Sequence, residues 1–271
     1  MKAGSGAPMV ERTVEELSVG DERAFRYVGL YSDLKEVLRR DRYRFRLLPN
    51  GPASWDRALL LNLTFWQGAG GDILEGNQVA ADVVMHAAWH HLAARALAAG
   101  GGPLSVEALF LGESIASAFD IYLVGRLLAC PIRSSFLETQ VPAMADAASA
   151  AGLSKQGFQR LLREVAAGPE RSFADLRALL FEVGVALSRC GDADEALAVL
   201  VRFERHRFAP LLHHYELSNW VLFARARGRQ GRRPDRRVEA IENALRADAM
   251  PLAWLASQWV APALALPVTT P

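Results

Sequence analysis

The residues best suited to chemistry are the six histidines, which fall into two groups: His86, His90 and His91 in one run, and His206, His213 and His214 far downstream. On a helix, positions four apart project from one face about one turn apart, so His86 and His90 can grip a single cation together. Their neighbours Val83, Val84, Met85, Trp89, Leu92 and Leu97 are apolar. An imidazole buried among them without a partner forfeits hydrogen bonding worth roughly 1–3 kcal/mol. Two resolutions are open: core histidines bonded to backbone or to each other, or a bound metal. Glu113 favours the metal, because it interrupts a run from Leu111 to Asp120 that is otherwise small or apolar, and a buried carboxylate needs a cation. A helix, a Gly-Pro connection and an antiparallel helix would return Glu113 to the histidine pair. Two nitrogens and one oxygen with a fourth position open is the ligand arrangement of a catalytic zinc.

Two helices must carry these residues. Val79 to Ala99 reads as a long Ala-rich helix stopped by Gly100-Gly101-Gly102-Pro103, and Ser105 caps a second one that runs to about Ala129 and ends before Pro131. Both are apolar on almost every face, which places them in the middle of a fold. Upstream, Asp33 to Arg40 is helical, and Arg42 to Leu47 alternates charge and apolar bulk with the period of a half-buried strand. Asn50-Gly51-Pro52 signals a turn into a second strand, Ala58 to Trp66, making a small antiparallel pair. Beyond Pro142 the pattern is helical: Ser154 to Ala166, Phe173 to Arg189, Asp192 to Arg205, Leu211 to Ala226 and Arg236 to Ala247. The pair around Gly191 resembles a tetratricopeptide hairpin, with no third copy to make an array. The expected fold class is mainly α (α+β), with a small N-terminal antiparallel sheet, a central helix pair and a helical C-terminal part. The expected divisions are residues 1–142, 143–249 and an apolar, proline-containing tail, 250–271.

The run Val83-Val84-Met85-His86-Ala87-Ala88-Trp89-His90-His91-Leu92 resembles the HExxH helix of the zincin metallopeptidases. Glu113 through Asp120 resembles the second motif of the gluzincin branch, especially its aminopeptidase family, where a ligand Glu precedes small residues, an aromatic and an acid. The likeness covers roughly residues 58–128. It implies zinc ligation by His86, His90 and Glu113, a substrate cleft lined by the preceding strand, and an Asp120 that orients a ligand histidine. It also marks a departure: the general base of these enzymes follows the first histidine, and that position is Ala87. A positioned base contributes about 10² to 10⁴ in rate.

Replacement groups are His213, His214 and Tyr215, expected to line the open side of the metal, with Glu107 a further candidate. His91, turned about 100° from His90 around the helix, is expected beside the ligands rather than among them. The function expected is that of a metal-dependent hydrolase acting on a peptide or small molecule, with zinc as cofactor. Two alternatives stay open. One is a non-haem iron enzyme of oxygenase type, since two histidines and a carboxylate also describe an iron facial triad. The other is a silent zincin-like scaffold that docks a protein partner through its C-terminal part.

Composition narrows the partners. Lys+Arg 31 against Asp+Glu 30 leaves a net charge of +1 and no global field for nucleic acid or anionic membrane. Seven arginines between Arg225 and Arg237 read as a solvated linker. Cys130 and Cys190 show neither CxxC spacing nor a disulfide framework, and Met1 to Ser18 lacks a secretory pattern, so a cytoplasmic location is expected. Pro251, Pro262 and Pro267 interrupt the uncharged tail, which reads as packed or partner-seeking rather than membrane-spanning.

Overall fold

The computed structural model describes residues 9–52, 54, 55, 72–98, 103–229 and 234–265. It is mainly helical with a small N-terminal sheet, as the sequence predicts. The centre is the pair α3 (Ala81–Leu97) and α4 (Val106–Leu128), preceded by α1 (Glu22–Phe25) and α2 (Tyr31–Arg40). Ser105 caps α4 as expected, its Oγ accepting from the Ala108 N–H at 3.1 Å. Every residue of α4 from Phe110 to Phe119 is buried. Among the described residues α4 alone is long and apolar enough to cross a membrane, yet 94% of that stretch is buried inside the protein. It packs on α3 along one side and on α7 (Pro169–Ser188) along the other.

Close backbone approach sets this geometry. A Cβ on Gly112 would stand 3.2 Å from the Ala93 Cβ, so the small residue keeps α4 tight against α3 beside Glu113. A Cβ on Gly125 would meet the Val165 carbonyl oxygen at 2.7 Å, seating α4 on α6 (Lys155–Ala167).

The sheet departs from expectation. The strand predicted over Arg42 to Leu47 is β3 (Arg44–Leu47), with Phe45 fully buried. Its expected partner, Ala58 to Trp66, lies outside the described residues, as does the Gly68 to Gly71 loop. The antiparallel partner found is β1 (Val10–Thr13), pairing Glu11 with Arg46 and Arg12 with Phe45. On the other edge β4 (Ile73–Leu74) runs parallel to β3, so the sheet is mixed rather than antiparallel. A second parallel pair joins β2 (Ser18–Gly20) to β5 (Gln78–Ala80), which feeds α3 directly and takes Val79 out of the predicted helix.

Further on, α5 (Ser135–Ala150) runs through Pro142, where the sequence reading expects helix only beyond it. The helices α8 (Ala193–Phe203) and α10 (Arg236–Ala247) fall where predicted, capped by Asp192 and Asp235. The expected helix Leu211 to Ala226 is broken: a 3-10 helix, Ala209–Tyr215, gives way at Glu216 (φ 47°) to α9 (Leu217–Arg227). The tail is packed through Ala265, as α11 (Pro251–Leu255), a π-helical turn (Ala256–Val260) and α12 (Ala261–Ala265). Pro251 is tolerated in the first turn, where its missing N–H has no helical acceptor. Leu255 and Val260 are buried, and Arg40 donates to the Leu264 carbonyl.

Candidate metal centre

His86 and His90 project from one face of α3, and the antiparallel return of α4 brings Glu113 opposite them. His86 Nε2 and His90 Nε2 lie 3.0 Å apart. Glu113 Oε2 is 3.0 Å from His90 Nε2, and its Oε1 is 3.8 Å from His86 Nε2. All three donors fall within 4.8 Å of one another, close enough to hold a metal ion. Metal–ligand arms of about 2.1 Å at tetrahedral angles place donors about 3.4 Å apart, which these separations bracket.

The local chemistry fits a cation. Glu113 is 5% exposed, and its Oε2 is a buried oxygen with no hydrogen-bond partner despite standing 3.0 Å from His90. At that distance the carboxylate is answered by a proton on His90 or by a cation bound in its place. Oε1 is held by the Ser117 hydroxyl, which donates at 2.8 Å and fixes the carboxylate from one helical turn away. Burial and the charge of His90 lower the His86 pKa to about 4, despite Glu113, so His86 is neutral and ready to ligate. Burial also pulls His90 down, but the Glu113 carboxylate outweighs it and the net shift is upward. For Glu113 burial pushes up, and the two imidazoles with Ser117 more than reverse it, leaving an ionised carboxylate.

Two acids flank the trio. Asp72, 3% exposed just ahead of β4, accepts the Tyr43 hydroxyl at 2.7 Å and attracts His90 electrostatically. The sequence reading missed it, since nothing periodic marks an acid between a Gly-rich run and a two-residue strand. Asp120, expected to orient a ligand histidine, sits two turns along α4 from Glu113. Among the described residues it accepts no hydrogen bond, and its electrostatic neighbours are Asp82, Glu113 and Tyr215.

Asp82, also missed, was legible. Asp82, His86 and His90 repeat every four residues along α3, and Glu113, Ser117 and Asp120 repeat at four and three along α4. The two rows face each other, with His90 opposite Glu113 and Asp82 opposite Asp120. Together they form a polar seam between two otherwise apolar core helices. Asp82, His86, His90 and Asp120 each keep partial exposure, as do Val83 and His91 beside them.

The remaining candidates separate. His91 turns away to bond Asp41, Nε2 to Oδ2 at 2.6 Å, where Arg95 also pairs, and its ring meets Tyr43 edge-on. His213 is exposed and lines a separate groove with Cys190, Asp192, Glu216 and Arg225. His214 packs against the Tyr215 ring at 5.0 Å. Tyr215 alone is tied to the seam, by the electrostatic influence of Asp120; it is 7% exposed and its hydroxyl is buried without a partner. Ala87, where the zincins carry their base, is fully enclosed.

Comparison with protein-family models, with curated proteins and with solved structures finds no significant match.

Proposed function

We propose that this protein is a metal-dependent hydrolase of zincin-like type, holding one ion on His86, His90 and Glu113. The observation that carries the reading is the convergence of His86, His90 and the buried Glu113, whose donor atoms lie within 4.8 Å of one another. A buried ionised carboxylate in that state is stabilised by a cation at the shared point. The ion would supply Lewis acidity, polarising an acyl carbonyl and making water a better nucleophile.

The chain's own residues do the rest. Glu113 would offset the ion's charge, Ser117 keeps its carboxylate in place, and the apolar flanks of α3 and α4 limit the access of bulk water to the trio. Tyr215 presents a neutral phenol, because burial and then Asp120 raise its pKa well above the ordinary value. A phenol in that state donates a hydrogen bond to a developing oxyanion. The substrate is a peptide or a small acyl compound, and zinc is the metal favoured by two imidazoles and one carboxylate with an open position.

A non-haem iron centre is the second reading, favoured by Ala87, which supplies no base and stands in a fully enclosed position. Elemental analysis and the absorption spectrum of protein purified without added metal decide between them: stoichiometric, colourless zinc supports the hydrolase, and coloured iron supports the oxidase or oxygenase. Protein that binds neither ion, and whose His86→Ala and Glu113→Ala variants take up metal as the parent does, would refute the centre.

A further inference from the structure

Away from the metal centre, α8 and α9 both pack against α7 and leave a groove of about 1070 Å³ between them. It shares no residue with His86, His90 and Glu113. Leu187 and Cys190, at the end of α7, are its buried part. Along α8 the lining residues Ala196, Leu200 and Glu204 recur every four positions, which makes them one stripe of the helix. From α9 come Val221 and Leu222, and Leu222 is 65% exposed. The charge of the lining is lopsided. Asp192, Glu204 and Glu216 are exposed along it, and among the described residues none of the three is paired with an arginine or lysine. Asp192 accepts the Glu195 N–H at 2.9 Å and Glu216 accepts the Asn219 amide at 2.6 Å, bonds that leave both carboxylates charged. Arg225, the lining arginine among the described residues, is turned onto the backbone carbonyls of Ser188 and Cys190.

We propose that this groove is the docking site for a basic amphipathic helix of a partner protein. Two helical walls with apolar residues between them accept the apolar face of a third helix, whose anchors recur at every third or fourth residue. The stripe from Ala196 to Glu204 spans about 12 Å at 1.5 Å per residue, the length of about two turns of an occupant lying along it. Leucine-sized anchors of that occupant meet Leu200, Val221 and Leu222, and its flanking lysines or arginines meet Asp192, Glu204 and Glu216. Such exposed ion pairs add little affinity, but they select the sign of the partner and speed its approach. The apolar anchors carry the binding. The same three carboxylates repel the phosphates of nucleic acid and of an anionic membrane surface, which leaves a cationic protein segment as the occupant whose charge fits. The proposal is independent of the hydrolase reading.

The test titrates the full-length protein into a fluorescently labelled peptide of about four helical turns, with leucines along one face and lysines elsewhere, and reads anisotropy. Saturable one-to-one binding is expected. Leu222→Asp should weaken it by about tenfold or more. Leu197→Asp should leave it unchanged, because Leu197 is 60% exposed on α8 but lies outside the groove. Both leucines are exposed, so neither change threatens the fold. Glu204→Lys combined with Glu216→Lys should also weaken the lysine peptide by about tenfold and should admit the same peptide with glutamates in place of lysines, which the wild type rejects. Absence of binding, equal loss in Leu197→Asp, or wild-type binding of the glutamate peptide as tight as that of the lysine peptide would overturn the proposal. A peptide of the same leucines and lysines interrupted by a central proline should bind at least about tenfold more weakly, and equal affinity would rule out a helical occupant. Sedimentation of the protein alone covers the remaining occupant: a dimer that Leu222→Asp dissociates would give the groove to a second copy of this chain and overturn the proposal, whereas a monomer supports it.

Discussion

The protein buries charge in two places, and they are built on opposite principles. Between α7 and α10, Arg177 lies against Glu242 with 1% and 9% of their side chains exposed, and Arg246 adds a second bond to Glu242 at 2.6 Å. Cation answers anion, and the carboxylate has donors on both oxygens. Between α3 and α4, three carboxylates and two imidazoles share a seam that no arginine or lysine enters among the described residues. The first region closes on itself and ties two helices. The second gathers carboxylates and imidazoles without a fixed cation, which suits a site that takes a cation in.

The largest expected effect lies in the closed pair. Arg177→Ala leaves Glu242 in the interior with only the half-exposed Arg246 to answer it, and breaking a buried pair costs up to about 3–5 kcal/mol. Chemical denaturation should show that loss, while metal stoichiometry in the folded fraction stays at the wild-type value. A mild effect, comparable to an exposed pair, would mean that the two regions differ less than their geometry says. Ligand removal should do the reverse. Glu113→Ala or His86→Ala is expected to weaken metal binding by at least about 100-fold, read by titration against a competing chelator. Metal-free stability should hold within roughly 1 kcal/mol, because deleting an uncompensated buried charge relieves as much as it removes. If Glu113→Ala unfolds the metal-free protein, the seam is structural after all.

Asp72 sharpens the comparison at a smaller scale. Its carboxylate accepts from Tyr43 and acts electrostatically on His90 from outside the trio. Carboxylates in that position hold a ligand imidazole in its productive orientation, and their loss costs about 10- to 100-fold in metal affinity. Asp72→Asn should fall in that range with unchanged stoichiometry. An effect as large as that of Glu113→Ala would promote Asp72 to a ligand.

How much of this was legible in the chain follows from the range of the forces involved. The helix pair and the trio could be read because spacing on a helix is local: positions four apart must share a face, and a Gly-Pro connection must return the next helix. Asp82 obeyed the same rule, one step earlier in the same repeat. Asp72 and Tyr43 come from irregular chain around strands of two and four residues, where nothing in sequence fixes which side chain faces the metal. The pairing of β1 with β3 bridges more than thirty residues and depends on four positions, too few for alternation to declare itself. Tyr215 was singled out with His213 and His214 as one group, but Glu216 adopts a left-handed conformation without being glycine. That break turns Tyr215 inward and leaves His213 on the surface, a separation no periodicity announces. The resemblance to zincins supplied the ligand set from the same local pattern.

The smallest effect expected is the dependence of metal affinity on pH, and its sign separates the two imidazoles. His86, pushed down to about 4 by burial and by His90, carries no proton near neutrality and adds no slope. His90 is raised above its ordinary value because Glu113 outweighs burial. In the metal-free protein its charged contact with Glu113 stabilises the fold fully below the unfolded histidine pKa, and that contribution fades as pH rises through the raised one. An incoming ion must displace that proton. Affinity should therefore climb about tenfold per pH unit below the raised value and level off above it. Calorimetry in buffers of different ionisation enthalpy, run below the raised value, should count about one proton released per ion. Release of two would place a protonated His86 in the seam, and release of none would mean that Glu113 does not hold His90 charged, removing the electrostatic tie on which the contrast with Arg177 and Glu242 depends.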